Sequence, residues 1–171
     1  MAEKLAKSLI GMMGGLLSLS FGKQLIVFII SMLPILELRG GLIAASLLKL
    51  PPLESYIIAI VGNVIPVPFI LLLINKILRA MEKSRFKLFN GIHSFLHKKI
   101  MKNKDSIEKY GFWGLVIFVG IPLPGTGAWT GAIIAAFLEM DRKKAFIGIL
   151  LGMLMASIIM MIISFGLISK V

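Results

Sequence analysis

Glu37 and Arg39 are the residues whose types and setting most suggest chemistry, because they interrupt an otherwise apolar run from Leu25 to Leu50 within the motif P-I-L-E-L-R-G-G, 34–41. An ionisable group at membrane depth costs about 2.5–3.5 kcal/mol on insertion scales, so such residues are read as functional. A carboxyl can take up and release a proton, which makes Glu37 the candidate coupling-ion site. A guanidinium keeps its charge, which makes Arg39 the candidate anion contact. Two positions apart on a regular helix, they would not face one another. In a non-helical tip ending at Gly40 they could pair or meet a substrate; the alternative is a neutralising pair that merely locks the tip.

A second broken stretch, Pro122-Leu123-Pro124-Gly125-Thr126-Gly127, opens the segment that carries Trp129 and Thr130. Glycines there would start a half-helix whose unpaired N–H groups attract anions. The run G-T-G-A-W-T-G lacks the following Lys-Ser/Thr and a preceding strand, so it is not a nucleotide loop. Gly127 and Gly131 read equally well as a helix-packing motif. Trp129 and Thr130 could line a cavity, although membrane tryptophans commonly pack or sit at the interface. Asn63 is either a cavity polar group or an interhelical hydrogen-bonding residue.

His93 and His97 lie four apart without the H-E-x-x-H pattern and read as solvated interfacial residues. The sequence has no cysteine, which excludes disulfides and thiolate sites. It offers no Ser-His-Asp or paired-carboxylate set either, so neither catalysis nor a cofactor is expected, and a coupling ion, H+ or Na+, is the one small partner implied.

What must position these residues is a membrane domain. Hydrophobic residues make up 58% of the 171, charged residues only 16%, and mean hydropathy is +0.96, more apolar surface than one soluble core can hide. The net charge of +11 gathers between apolar spans, as the positive-inside tendency predicts, and not on a polar fold as nucleic-acid binding would require.

Residues 1–22 read as a short N-terminal membrane helix, with Gly11 and Gly15 allowing close approach; a cleaved leader is the alternative. Residues 23–75 form a first repeat. Leu25–Leu50 is too short for two crossings of about 20 residues each and so predicts a re-entrant hairpin with an irregular tip over 34–41. Tyr56–Ile74 then spans once, interrupted at Pro66 and Pro68. Residues 76–110 predict a basic amphipathic linker on anionic head groups, with Asn90-Gly91 as a bend. Residues 111–171 form a second repeat: a re-entrant hairpin over Gly111–Leu138, then a span over Ala145–Ser169 with Gly148 and Gly152 as a packing face.

Gly40–Ala45 aligns with Gly131–Ala136, and Gly62 then falls one residue out of step with Gly152. If the linker is cytoplasmic, Lys4, Lys7 and Arg142–Lys144 fall on the same side and only Lys23, Lys49 and Lys170 lie outside. The repeats are then inverted, as in many secondary transporters. The expected fold is an all-α integral membrane protein: an inverted repeat of two re-entrant hairpins, each followed by a spanning helix, with an N-terminal helix and an interfacial linker.

The motifs P-I-L-E-L-R-G-G-L-I-A-A, G-N-V-I-P-V-P and G-I-P-L-P-G-T-G-A-W-T-G resemble those of the small multi-drug export proteins, over nearly the whole stretch Leu25–Phe165. That family is in turn similar to the DedA, or SNARE-associated (VTT), superfamily. The resemblance implies two re-entrant hairpins in a prokaryotic inner membrane and either proton-linked transport or movement of lipids between leaflets. It places the hairpin acid on Glu37 and the Pro-Gly tip on Pro124 and Gly125. The second tip lacks the arginines of DedA proteins, so an anion would have to use Arg39 and helix N-termini. The expected function is a secondary transporter for a small amphipathic, anionic or lipid-linked substrate; the alternative is a scramblase or membrane-organising protein. Membrane lipids and a second copy of the chain, as a homodimer, are the expected partners.

Overall fold

The computed structural model describes residues 2–82, 98, 101, 107–123 and 125–167, and among them there is helix and no strand. Most of the linker expectation, with the Asn90-Gly91 bend, His93 and His97, and also Pro124, lies outside the described residues; of the linker, 76–82, 98, 101 and 107–110 are described. The helices are α1 (Ala2–Met12), α2 (Gly22–Met32), α3 (Glu37–Leu47), α4 (Pro52–Val64), α5 (Pro66–Glu82), α6 (107–120), α7 (Ala128–Phe137) and α8 (Arg142–Met161). A 3-10 turn, Gly14–Ser18, follows α1, and a π-helical stretch, Ile162–Leu167, continues α8.

The N-terminal segment is thus divided and not one helix through residue 22. A Cβ on Gly11, Gly14 or Gly15 would meet nothing within 4 Å among the described residues, so these glycines do not serve the packing of α1 on the rest of the described chain. α1 instead packs on α3, where Ala6 is fully buried. Gly22 is the glycine needed for contact here: a Cβ on it would overlap the Leu16 carbonyl.

α4 and α5 together form a 23-residue apolar stretch, Pro52–Ile74, and Arg142–Gly166 forms another of 25 residues. Only 33% and 39% of their most apolar windows are buried, so the remainder, including Ile57, Val61, Phe69, Ile147 and Ile158, is an apolar outer face. Pro66 stands at the first position of α5, after the single turn residue Ile65. Its ring removes one N–H from the ladder there, the interruption expected from the sequence.

α2 and α3 form one helical hairpin and α6 and α7 the other. The first differs from expectation in where its break lies. The chain turns over 33–36, and Glu37 to Gly41 are already the first residues of α3. Packing forces this: a Cβ on Gly40 would fall 2.5 Å from the Leu36 Cβ, and one on Gly41 would overlap the Ser31 hydroxyl. Gly40 therefore lets α3 start tightly against the turn residue Leu36 and Gly41 lets it close onto α2, which outweighs their poor helix propensity.

The same contacts recur in the second hairpin. Gly41 faces Ser31 and Val27, and Gly131 faces Val119 and Leu115; Gly62 faces Phe28 O and Ser31, and Gly152 faces Val116 O and Val119. Both hairpins end in the same turn, with Leu50 N bonded to Ala45 O at 3.0 Å and Met140 N to Ala135 O at 3.0 Å. Left-handed residues close both, Lys49 at φ 55° and Glu139 at φ 53°. The register is therefore Ala45 with Ala135, one residue away from the sequence alignment, and it removes the slippage between Gly62 and Gly152. Gly148, close to Phe112 and Leu115, joins Gly152 in the packing face of α8, as its spacing predicts.

Candidate functional site

The first hairpin delivers its two charges to the two ends of the break in the second. Glu37, 4% exposed, begins α3 at φ 52°, a left-handed conformation unusual for a side chain with a Cβ. Leu36 O is engaged by Gly40 N at 2.9 Å and Leu33 O by Glu37 N at 2.8 Å, so the local ladder already fixes the residue's backbone. Its carboxylate then reaches α7: Oε2 accepts the N–H of Ala128 at 3.0 Å and Oε1 that of Trp129 at 3.1 Å. These are donors that the first turn of a helix cannot satisfy internally, and they carry the positive end of its dipole.

Gly127 makes this approach possible. It stands at φ 122°, and a Cβ there would lie 2.2 Å from Glu37 Oε2. Its glycine is thus required twice over, by backbone conformation and by space. Gly131, one turn on, faces Val119 and Leu115 instead, so the two glycines divide the carboxylate-contact and packing roles between them.

Arg39 goes to the opposite end of the break. Nη1 donates to Leu123 O at 2.5 Å, and Nη2 donates to Thr126 Oγ1 at 3.0 Å and to Ile121 O at 3.4 Å. The Thr126 hydroxyl lies 2.8 Å from both Ile121 O and Leu123 O and shares its hydrogen between them. These carbonyls follow the C-terminus of α6, the negative end of that helix. A carboxylate therefore sits on a helix start and a guanidinium beyond a helix end, each where its charge is favoured.

Of the residues singled out from the sequence, Glu37, Arg39, Thr126, Gly127 and Trp129 are brought together. Pro122 and Gly125 lie in the same break, Gly125 at φ 91°. Gly40 lies against Leu36 in the turn before α3, and Thr130 is buried on α7. Asn63 is fully buried elsewhere, on the α4 face toward α8, where Nδ2 lies 3.2 Å from Met153 Sδ. Close by along the same helices, Ser157 donates to Tyr56 Oη at 3.2 Å. Asn63 Oδ1 and Trp129 Nε1 are buried with no hydrogen-bond partner among the described residues.

Sequence reasoning missed the carbonyls of Ile121 and Leu123 and the N–H groups of Ala128 and Trp129. A signal for them existed in the interruption itself, since a helix broken inside apolar surroundings leaves donors and acceptors that something must meet. Among the described residues no group of His, Cys, Asp and Glu could hold a metal.

Two long apolar helices with apolar outer faces, and a helical break whose polar ends are met from within the protein, define a helical membrane protein. The sequence profile of the family described as Putative small multi-drug export protein matches residues 37–159, and the chain belongs to that family. The matched stretch contains Glu37, Arg39 and the whole break over 121–127. No curated protein and no solved structure gives a match.

Proposed function

We propose that this protein is a secondary transporter of alternating-access type, driven by H+ or Na+, for a small amphipathic, anionic or lipid-linked substrate. Glu37 is its coupling site. The observation that carries the reading is the Glu37 carboxylate, buried across the hairpin interface on the first N–H groups of α7. As a carboxylate it offers both oxygens as acceptors; once protonated, one oxygen becomes a donor and the attraction to the helix end is lost. Proton arrival then loosens the contact between the hairpins, which is the link between ion and conformation that coupled transport needs. Arg39, released from the α6 carbonyls, would meet an anionic substrate group.

In this reading the hairpins are re-entrant and mutually inverted. Helices of 11 and 10 residues extend about 16 Å at about 1.5 Å per residue. The hydrocarbon core is about 30 Å thick, so two such helices suit a dip into one leaflet better than a crossing. The recurrent glycine contacts support a repeat, and the charge distribution supports its inversion, with the linker cytoplasmic. We infer kinship with the DedA superfamily, a prokaryotic cell-membrane location and a homodimer on the same footing.

A second reading has its own support: both charges are already engaged by backbone groups, as a structural clasp would have them. Uptake into liposomes under an imposed proton or sodium gradient separates the two. Glu37→Gln, which keeps one acceptor for the helix end but cannot titrate, should abolish gradient-driven uptake while leaving the folded protein. Undiminished uptake by the variant would make the pair a clasp. Leaflet equilibration of a labelled phospholipid without any gradient would instead make the protein a scramblase.

A further inference from the structure

At the far end of α7 from Glu37, a cavity of about 380 Å³ opens between α5, the turn after α7 and the start of α8. Leu71, Leu72 and Met140 form apolar wall, while Lys76, Arg142 and Glu139 supply charge. In sequence the apolar run of α5 gives way at Asn75 and Lys76, and α8 opens with Arg142, Lys143 and Lys144 ahead of its own apolar run, so the charges lining the cavity stand at the ends of the two long apolar stretches. Basic residues at the ends of such stretches suit the head-group level of a bilayer. Leu72 is 49% exposed and continues into the apolar outer face with Phe69 and Leu73.

We propose that this cavity binds the head group of an anionic glycerophospholipid, independently of any transport at the hairpin breaks. The phosphate lies between Lys76 and Arg142, a head-group hydroxyl donates to Glu139, and an acyl chain runs out over Leu72. Basic pockets at the ends of membrane helices suit such head groups, and Arg offers a planar fork to phosphate oxygens. The volume falls near the low end of the roughly 300–1,000 Å³ of small-molecule sites, enough for a head group and not for a whole lipid. Glu139 accounts for a preference within anionic lipids. It is held at the rim in the left-handed turn at φ 53°, and it favours a head group with hydrogen-bond donors over a bare phosphate.

Native mass spectrometry of the full chain, purified with equimolar phosphatidylglycerol and phosphatidylcholine, tests the assignment. The wild type should retain phosphatidylglycerol about tenfold better, a difference of about 1.4 kcal/mol. Lys76→Gln with Arg142→Gln should reduce retention to the phosphatidylcholine level. Leu72→Trp, which fills the mouth and keeps both charges, should do the same. Lys143→Gln with Lys144→Gln removes equal charge on the next residues of α8 and should retain the lipid. Equal retention of the two lipids by the wild type, or equal loss in the Lys143 and Lys144 variant, would overturn the site. Displacement of the lipid by millimolar glycerol phosphate would make it a soluble-phosphate site and overturn the lipid assignment.

Discussion

Between α2 and α3 the chain turns over 33–36, whereas between α6 and α7 it takes 121–127 to do so. The shorter break satisfies itself: Leu33 N, Leu36 N and Glu37 N all bond to backbone carbonyls within the hairpin, at 3.2, 3.3 and 2.8 Å. The longer break does so only in part, through Leu123 N on Ile121 O at 2.8 Å and Thr126 N on Leu123 O at 3.2 Å, and side chains from the first hairpin meet the Leu123 carbonyl, the Thr126 hydroxyl and the N–H groups of Ala128 and Trp129. The sequence shows charge on one tip and none on the other. The difference is complementary, because the tip that closes on itself turns both charges toward the tip that does so only in part. Breaking the arrangement should therefore be more damaging on the receiving side, where one glycine controls the approach.

Gly127→Ala should have the largest effect. It places a Cβ 2.2 Å from a buried carboxylate oxygen and forces a non-glycine residue to φ 122°. Strain at such a position alone costs on the order of 1–3 kcal/mol, and displacing Glu37 leaves two buried N–H groups unmet at about 1–3 kcal/mol each. Thermal unfolding of the detergent-solubilised protein should show little folded material. Gly125→Ala, at φ 91° but exposed, should lose only the strain. Equal losses at the two sites would mean that the carboxylate contact contributes nothing.

Glu37→Ala should come next and should exceed Arg39→Ala. Both remove a charge-assisted contact, yet Glu37 is 4% exposed while Arg39 is half-buried, and water can reach the carbonyls it leaves. We expect about 2–4 kcal/mol for the first and about 1–2 for the second, from the cost of buried unmet partners. Chemical unfolding of the two variants side by side reads the order. A larger loss at Arg39 would reverse the roles assigned to the ends of the break.

How far this arrangement was legible in the sequence follows from what kind of force set each part. The break at Pro66, the packing glycines Gly148 and Gly152 and the interruption between α6 and α7 are local consequences of residue type, and they stand where the sequence places them. The start of α3 was not legible. Glycines at 40 and 41 look like helix breakers until the Leu36 side chain is seen against the first and α2 against the second. The partners of Glu37 and Arg39 were hidden for a stronger reason: they lie more than 80 residues away and, apart from the Thr126 hydroxyl, on backbone whose identity leaves no trace in side-chain type. The register of the recurrent contacts differs by one from the sequence alignment because that alignment matches both Ala44 and Ala45, whereas pairing Gly41 with Gly131 keeps only one alanine match and sets Ala44 against Ile134. Only the paired turns at Lys49 and Glu139 decide it.

The recurrent contacts can be tested against each other through Gly41→Ala and Gly131→Ala. Each adds a Cβ into the partner helix of its own hairpin, against the Ser31 hydroxyl in one case and 2.6 Å from Val119 Cγ2 in the other. Overpacking of this kind costs about 1–3 kcal/mol. The Gly41 variant should be the milder, because Ser31 can rotate away from its 2.7 Å bond to Val27 O, whereas the branched valine has fewer places to go. A loss confined to one hairpin would separate the two halves energetically despite their shared geometry.

The smallest effects, and the only stabilising ones, should come from the turns that end the hairpins. Lys49 and Glu139 hold φ 55° and 53° with side chains that gain nothing from the left-handed region. Both are exposed, and each closes the same six-residue turn, through Leu50 N to Ala45 O and Met140 N to Ala135 O, both at 3.0 Å. Glycine is the residue most at ease in this position after a helix. Lys49→Gly and Glu139→Gly should each stabilise the protein by about 0.5–1 kcal/mol, less whatever flexibility glycine adds to the unfolded chain. The two increments should agree within about 0.5 kcal/mol and add in the double variant, since the sites are distant and share no partner. If only one turn gains, the lipid cavity gives the reason a definite form. Glu139 lines it and Lys49 does not, so unfolding repeated with added phosphatidylglycerol should reduce the benefit of Glu139→Gly and leave that of Lys49→Gly unchanged.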